Sequence, residues 1–253
     1  MVDLKNKIVF ITGSSSGIGA ACARAFTAQG ARLILCARRG EHLKKLVSDL
    51  KTDTYSFPLD VRDPNQVEKQ IQSLPADWSA IDILLNNAGL ARGLSKLQEG
   101  DIQDWEEMID TNIKGLLFIT RAVVPGMVQR GKGDIINIGS IAGHEVYPAG
   151  NVYCATKHAV DALTKGLRLD LTGTPLRVST VDPGLVETEF SLVRFHGDKQ
   201  RAKSVYNGMQ PLTPEDIADA VLYCVTRPAH VQIAEIIILP TAQRSATVVS
   251  RQN

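Results

Sequence analysis

Long hydrophobic runs are absent from this sequence. No stretch approaches the roughly 18 consecutive apolar residues of a membrane-spanning helix, which excludes that class of protein. The opening MVDLKNKIVF lacks a signal-peptide pattern, because its apolar run is short and passes at once into glycines. The closing SRQN matches no targeting tail. Paired cysteines are missing as well: Cys22, Cys36, Cys154 and Cys224 lie far apart with no C-x-x-C spacing. That argues for reduced thiols in an intracellular protein, not for a disulfide frame or a zinc site. His42, His158, His196 and His230 show no metal-ligand spacing either. Charge of one sign is scarce. The formal net charge is +1 and the basic residues are scattered, so neither a nucleic-acid nor a membrane surface is expected. The cytosol is the expected compartment.

What is present is an alternation. With 44% hydrophobic and 22% charged residues among 253, the composition is that of an ordinary globular chain. Runs dense in Ile, Val and Leu at 8–12, 31–36, 54–59, 82–85, 134–138, 176–181 and 235–239 predict strands buried on both faces. Helical patterns fill the intervals at 17–29, 41–50, 64–74, 104–130, 151–171 and 214–226. Gly30 suits the left-handed end of the first, and Asp63-Pro64 suits the start of the third. Trp78 and Trp105 read as packing residues. Strict β-α alternation predicts a single doubly wound α/β domain over 1–253, with about seven parallel strands and helices on both faces. One segment breaks the rhythm: residues 187–211 are long and polar. They suggest a substrate lid at the carboxyl ends of the strands, with a solvated surface excursion as the alternative.

The stretch TGSSSGIG follows the first strand directly. Its Gly13-Ser14-Ser15-Ser16-Gly17 also fits a hydrolase's nucleophile elbow, presenting Ser15. An elbow needs an oxyanion donor from an earlier loop, and nothing upstream can supply one. It also needs a later acid–histidine pair, which His196 and His230 do not offer. A phosphate cradle fits better. Gly13 turns the chain out of the strand, while Gly17 and Gly19 let backbone approach a ligand and a helix approach the sheet. The helix then aims its unpaired N–H groups at an anion.

The second strand ends in Cys36-Ala37-Arg38-Arg39. An NAD site places an acid about 20 residues beyond the glycine turn to hold the ribose 2′-hydroxyl. Here Ala37 stands at that point and two arginines follow, a pair able to clamp a 2′-phosphate. NADP is the expected cofactor, although Arg38 and Arg39 can also be read as solvated loop charges. Further on come Ser140 and Tyr153-Cys154-Ala155-Thr156-Lys157. Tyr153 and Lys157 are four apart on a helix, hence on one face. A free tyrosine has a pKa of about 10. An ammonium one turn away stabilises its phenolate and makes it a usable acid–base group. Ser140, just past a strand end, can hold the substrate oxygen.

These motifs give the chain a resemblance to the short-chain dehydrogenase/reductase family over essentially its full length. It rests on TGSSSGIG, LDV (59–61), NNAG (86–89), Asn112, Ser140, YCATK (153–157) and DPG (182–184). The resemblance implies that Gly13, Ser15, Ser16, Gly17, Ile18 and Gly19 bind cofactor. It places Asp60 and Val61 at the adenine and Asn87, Ala88 and Gly89 near the ribose. Pro183, Gly184, Val186 and Thr188 would meet the nicotinamide. Tyr153 would carry the proton, with Lys157 on the nicotinamide ribose and Asn112 holding a water of a proton relay.

IDILLNNAGLA, GLVETEFSLVRFHGD, PLTPEDIADAV and RPAHVQIAEIIILPTAQ resemble the NADP-dependent serine/3-hydroxy acid dehydrogenase branch. That implies oxidation of L-serine, L-allo-threonine and related 3-hydroxy acids. The C-terminal phrases are similar to carbonyl and ketosteroid reductases too, so a broad carbonyl or diketone reductase stays open. Arg194 is the candidate for a substrate carboxylate, against a solvated lid charge or a subunit contact. His144 is expected in the pocket wall with no proton role. A cofactor-sensing binding protein is a rival reading, disfavoured by the intact Ser140/Tyr153/Lys157 set. The family likeness also implies a homotetramer, through the helices at 104–130 and 151–171.

Overall fold

The computed structural model describes residues 2–252. Its first half runs β1 (Ile8–Thr12), α1 (Gly17–Ala28), β2 (Arg32–Ala37), α2 (Gly40–Asp49), β3 (Thr54–Pro58), α3 (Pro64–Gln72) and β4 (Ile83–Asn86). Next come α4 (Ile102–Ile109), α5 (Leu116–Arg130), β5 (Asp134–Ile138), α6 (Asn151–Asp170) and β6 (Arg177–Pro183). The chain finishes with α7 (Phe190–Arg194), α8 (Lys199–Ser204), α9 (Pro214–Val225) and β7 (Glu235–Ile238).

The seven strands form one parallel sheet in the order β3-β2-β1-β4-β5-β6-β7. Alternate residues of each inner strand feed two cores. Val9 and Ile11 of β1 pack with Phe26, Ile217 and Val221 on one face. Phe10, together with Ile34 of β2, packs with Val67, Ile119 and Met127 on the other. Burial on both sides explains the continuous Ile/Val/Leu runs. Chain direction across the sheet reverses between β1 and β4. A crevice opens there, outside the carboxyl ends, where such sheets bind ligands.

The expected caps are present. Gly30 has φ of 74°, and Asp63 accepts from the backbone N–H of Asn65 and Gln66 at 3.0 Å. Two regions differ from expectation. The helix expected over 104–130 is interrupted by a π-helical turn, Asp110–Gly115. The turn swings Asn112 against the chain after β4, where its side chain exchanges hydrogen bonds with the backbone of Leu90 at 2.8 and 2.9 Å. Periodicity alone carries no trace of that tertiary pull. β6 also continues past Val181 to Pro183, which puts Asp182 inside a buried strand and not in a loop. Segment 187–211 folds in part into α7 and α8. Among the described residues, no helix is long and apolar enough to cross a membrane.

Candidate active site

A cavity of about 480 Å³ lies along the carboxyl ends of the central strands. Of the catalytic, cofactor and substrate residues expected from sequence, all but Gly19 and Asn112 line it. Those two lie behind the wall.

The glycine turn is built by close approach. Gly13 has φ of 64°, and a Cβ there would stand 2.8 Å from Cα of Ala88. At Gly19 a Cβ would lie 2.7 Å from the Gly13 carbonyl, so this glycine lets α1 pack onto the turn rather than touching a ligand. Asn87 clamps the same turn, its amide donating to the carbonyls of Thr12 and Gly13 at 2.9 and 3.1 Å. The Asn87 side chain is thus committed to the turn, while its neighbours Ala88 and Gly89 line the cavity. Ser16 caps α1 through backbone geometry only, with no side-chain bond to the helix and no acid in the first turn. The first N–H groups of α1 are left for an anion.

Both arginines after β2 border the cavity. Arg39 donates to Ser16 Oγ at 2.7 Å and pairs with Glu189 at 2.8 Å. Arg38 lies 3.3 Å from Glu107. Glu107 in turn holds Arg92 at 2.6 Å, and Arg92 donates to the Val193 carbonyl at 2.6 Å. Two ion-pair lines therefore run from the end of β2 to the segment that carries α7. At the adenine end, the Asp60 carboxylate is gripped by Arg62, whose Nη2 lies 2.6 Å from Oδ2.

At the other end Tyr153 and Lys157 project from α6, both buried. The Lys157 ammonium donates to the Ile138 carbonyl at 2.9 Å and sits 6.0 Å from the Tyr153 ring centre. Burial pulls the Lys157 pKa down to about 8, and the charge of Asp182 works against that fall. Burial pushes the Tyr153 phenol well above the usual tyrosine value, and Tyr147 adds to the rise. Arg194 and the Ser140 hydroxyl oppose it. Arg194 is thus a second cation beside the phenol, together with the Lys157 ammonium. Ser140 lies at the turn after β5, its Oγ accepting from the Ala142 N–H at 3.1 Å. Asn112 has its amide committed to Leu90 and to Thr156 Oγ1, the latter at 3.0 Å. Any water it holds must use the backbone of the π turn or the free lone pair of Oδ1.

Arg194 of α7 reaches into the same end. Its guanidinium lies 5.0 Å from the Tyr153 ring centre, 5.1 Å from that of Phe190 and 5.9 Å from that of Tyr147. It donates to the Tyr147 hydroxyl at 2.8 Å, yet its Nε is buried without a partner. An orphaned charged donor among aromatic rings is a ready seat for an anionic group.

The fold, the glycine turn at the switch point and the Ser140/Tyr153/Lys157 cluster agree with what the sequence comparison finds. The sequence profile described as short chain dehydrogenase matches residues 7–198. The chain belongs to the short-chain dehydrogenase family. It is similar to the NADP-dependent 3-hydroxy acid dehydrogenase of Schizosaccharomyces pombe, at 46% identity over 100% of this chain and 99% of the relative. The enzyme of the same description from Escherichia coli K12 is 48% identical over 94% and 97% of the two chains. A solved structure, the closed form of serine dehydrogenase complexed with NADP+, superposes with a TM-score of 0.93 at 47% identity, covering 97% of this chain and 100% of that one. As a member of this family, the protein is an oxidoreductase acting on CH–OH groups.

Sequence reasoning missed several lining residues. Tyr147, Phe190 and Tyr206 wall the reacting end, and Gln243 closes its floor by accepting the Leu185 N–H at 2.8 Å. Phe190 and Gln243 left a trace, inside the quoted phrases GLVETEFSLVRFHGD and RPAHVQIAEIIILPTAQ. His144, expected in the wall, does not line the cavity. It turns away to bond Asp182, 3.0 Å from Nε2.

Proposed function

We propose that the protein is an NADP-dependent dehydrogenase that interconverts a 3-hydroxy acid, of the L-serine and L-allo-threonine kind, and its 3-oxo counterpart. The observation that carries the substrate class is Arg194, whose buried Nε lacks a partner beside the Tyr153 ring. A carboxylate there satisfies that donor, and the 3-hydroxyl then falls toward Ser140 and Tyr153. The relatives described as 3-hydroxy acid dehydrogenases support the same reading.

NADP fits the residues present. The cavity runs unbroken from Arg38 and Arg39, past the open N-terminus of α1, to Lys157. When bound there, NADP would supply the hydride acceptor for oxidation and NADPH the hydride donor for reduction. Arg38 and Arg39 would hold its 2′-phosphate, and Gly13 to Ile18 would present backbone N–H groups to the pyrophosphate. On the oxidative side Tyr153 takes the hydroxyl proton as the substrate's C–H electrons leave, and in reduction it returns that proton to the carbonyl oxygen. Ser140 donates to the same oxygen, where charge develops. Lys157 binds the ribose hydroxyls and keeps positive charge near the phenolate, and Asn112 connects the site to solvent. Acid–base help of this kind contributes about 10²–10⁴ in rate.

Residues 187–211 act as the substrate lid of a single domain, because α7 supplies both Phe190 and Arg194 to the cavity. The assembly is a cytoplasmic homotetramer. Exposed Ile102, Leu117 and Val128 on α4 and α5 and Leu169 on α6 support self-association, which light scattering tests directly. A broad carbonyl, diketone or ketosteroid reductase is the second reading, favoured by the apolar wall of Ile141, Leu185, Phe190 and Val193. The deciding experiment is oxidation of L-serine, L-allo-threonine and 3-hydroxybutyrate with NADP, and with NAD beside it. Turnover with NADP supports the first reading. No turnover, with NADPH consumed by neutral ketones or diketones, moves the protein to the second.

A further inference from the structure

Asp182 and His144 are used by none of these steps. Asp182 lies in β6 with its side chain only 3% exposed. Its Oδ2 accepts from Thr180 Oγ1 at 2.7 Å and meets His144 Nε2 at 3.0 Å. Its Oδ1 occupies the space over Gly139, where a Cβ would collide with it. Gly139 follows Ile138, the residue whose carbonyl receives the Lys157 ammonium at 2.9 Å. Carboxylate and ammonium therefore reach adjacent residues of one strand end. Among the described residues no carboxylate touches Lys157 directly. A buried charge without a nearby opposite charge is expensive.

The same carboxylate ties down the Ser140 turn. His144 ends the short turn Ile141–Gly143 that begins at Ser140. Pro183, next to Asp182, lies with its carbonyl 3.4 Å from Ser140 Oγ. We propose that Asp182, oriented by Thr180 and His144, is a positioning residue for both Lys157 and Ser140: the buried counter-charge of the ammonium, and the anchor of the serine's turn on β6. The proposal rests on the reading of Ser140, Tyr153 and Lys157 as the reacting set. Several charged or titratable groups face the pair. Tyr153 shares α6 with Lys157, and Arg194 of α7 reaches Tyr153 from the cavity side. Asp182 faces His144 of the Ser140 turn and Glu235 of β7, one polar side-chain atom of each of the three lying within 4.8 Å of the others. Burial lowers the Lys157 pKa to about 8 even with Asp182 in place. Taking away that negative charge lowers it further, so the ammonium is lost at a lower pH.

The test is a lysine 13Cε NMR titration of the full-length protein with NADP bound, Lys157 being assigned by its loss in Lys157→Arg. In Asp182→Asn, which keeps the acceptor for Thr180, the Lys157 titration moves down by about one pH unit. The alkaline limit of kcat/KM moves with it, a tenfold loss at pH values above the new midpoint. A merely structural role lowers activity without moving either midpoint. His144→Leu lowers kcat by loosening the Ser140 turn, and His144→Gln, which restores an N–H to Asp182, recovers it. These two variants carry the test if Asp182→Asn does not fold. An unmoved Lys157 midpoint in folded Asp182→Asn overturns the proposal, as does equal kcat loss in both His144 variants. The titration needs no turnover. A shifted midpoint in a protein inactive on every substrate fails the functional reading and leaves the charge pairing standing, whereas an unshifted midpoint in an active enzyme fails only the pairing.

Discussion

The two ends of the cavity are held by different physics. At the dinucleotide end the charged groups are exposed or half-exposed and paired with one another: Arg39 with Glu189, Arg38 with Glu107, Arg62 with Asp60. At the reacting end Tyr153, Lys157 and Asp182 are buried; among the described residues no carboxylate touches Lys157, and Asp182 meets only the imidazole of His144 and the hydroxyl of Thr180. Exposed pairs are exchangeable, because water screens them and each contributes up to about 1 kcal/mol. A cofactor phosphate can displace Glu189 from Arg39 at little cost. Buried groups are not exchangeable, so their protonation responds strongly to whatever charge arrives. One end is arranged to bind and the other to titrate.

The largest effect should come from the buried end. Tyr153→Phe removes the proton carrier and should cut turnover by about 10²–10⁴ while NADPH binding, followed by fluorescence, stays nearly unchanged. Comparable turnover in the mutant removes Tyr153 from the mechanism. Next is Arg194→Leu. A charge-assisted bond contributes about 1.5–3 kcal/mol, so kcat/KM for 3-hydroxybutyrate should fall roughly 10–100-fold. A neutral ketone should be hardly affected, and equal losses on both substrates would argue that Arg194 only braces the wall. At the exposed end Arg39→Ala should raise the NADP dissociation constant about tenfold, the scale of one charged contact. NAD binding should not change, and a parallel loss for both cofactors would break the 2′-phosphate assignment. The smallest effect is expected for Glu189→Gln. It frees Arg39 at a cost of less than about 1 kcal/mol, so NADP should bind a few-fold more tightly. Hydrogen exchange through residues 190–204 should rise, and unchanged exchange there would show that the Arg39–Glu189 pair does not restrain α7.

Legibility followed locality. The glycine turn could be read because each of its residues answers to a strand end, a tight turn and a helix start within eight positions. The Tyr153/Lys157 pair was legible for the same reason, four residues apart on one helix. Asp182 was in plain view inside DPG, but its importance depends on an extra residue of strand and on a histidine from the neighbouring turn. The π turn at Asn112 was invisible, since its cause is Leu90 on another element. Arg194 could be nominated from residue type, but not weighed. Its unpartnered Nε exists only once Tyr147, Tyr153 and Phe190 surround it.

By itself the sequence determined the strand and helix order, the two-faced core, the glycine turn and the residues proposed to react. These follow from hydrophobic period and short-range spacing, which act along a few residues of chain. Only the tertiary structure decided how those groups are charged. Burial, the Asp182 carboxylate of β6 and the arrival of Arg194 from α7 shift Tyr153 and Lys157 from their ordinary pKa values. Desolvation and Coulomb interaction depend on distance in space, and the groups that exert them here lie dozens of residues apart along the chain.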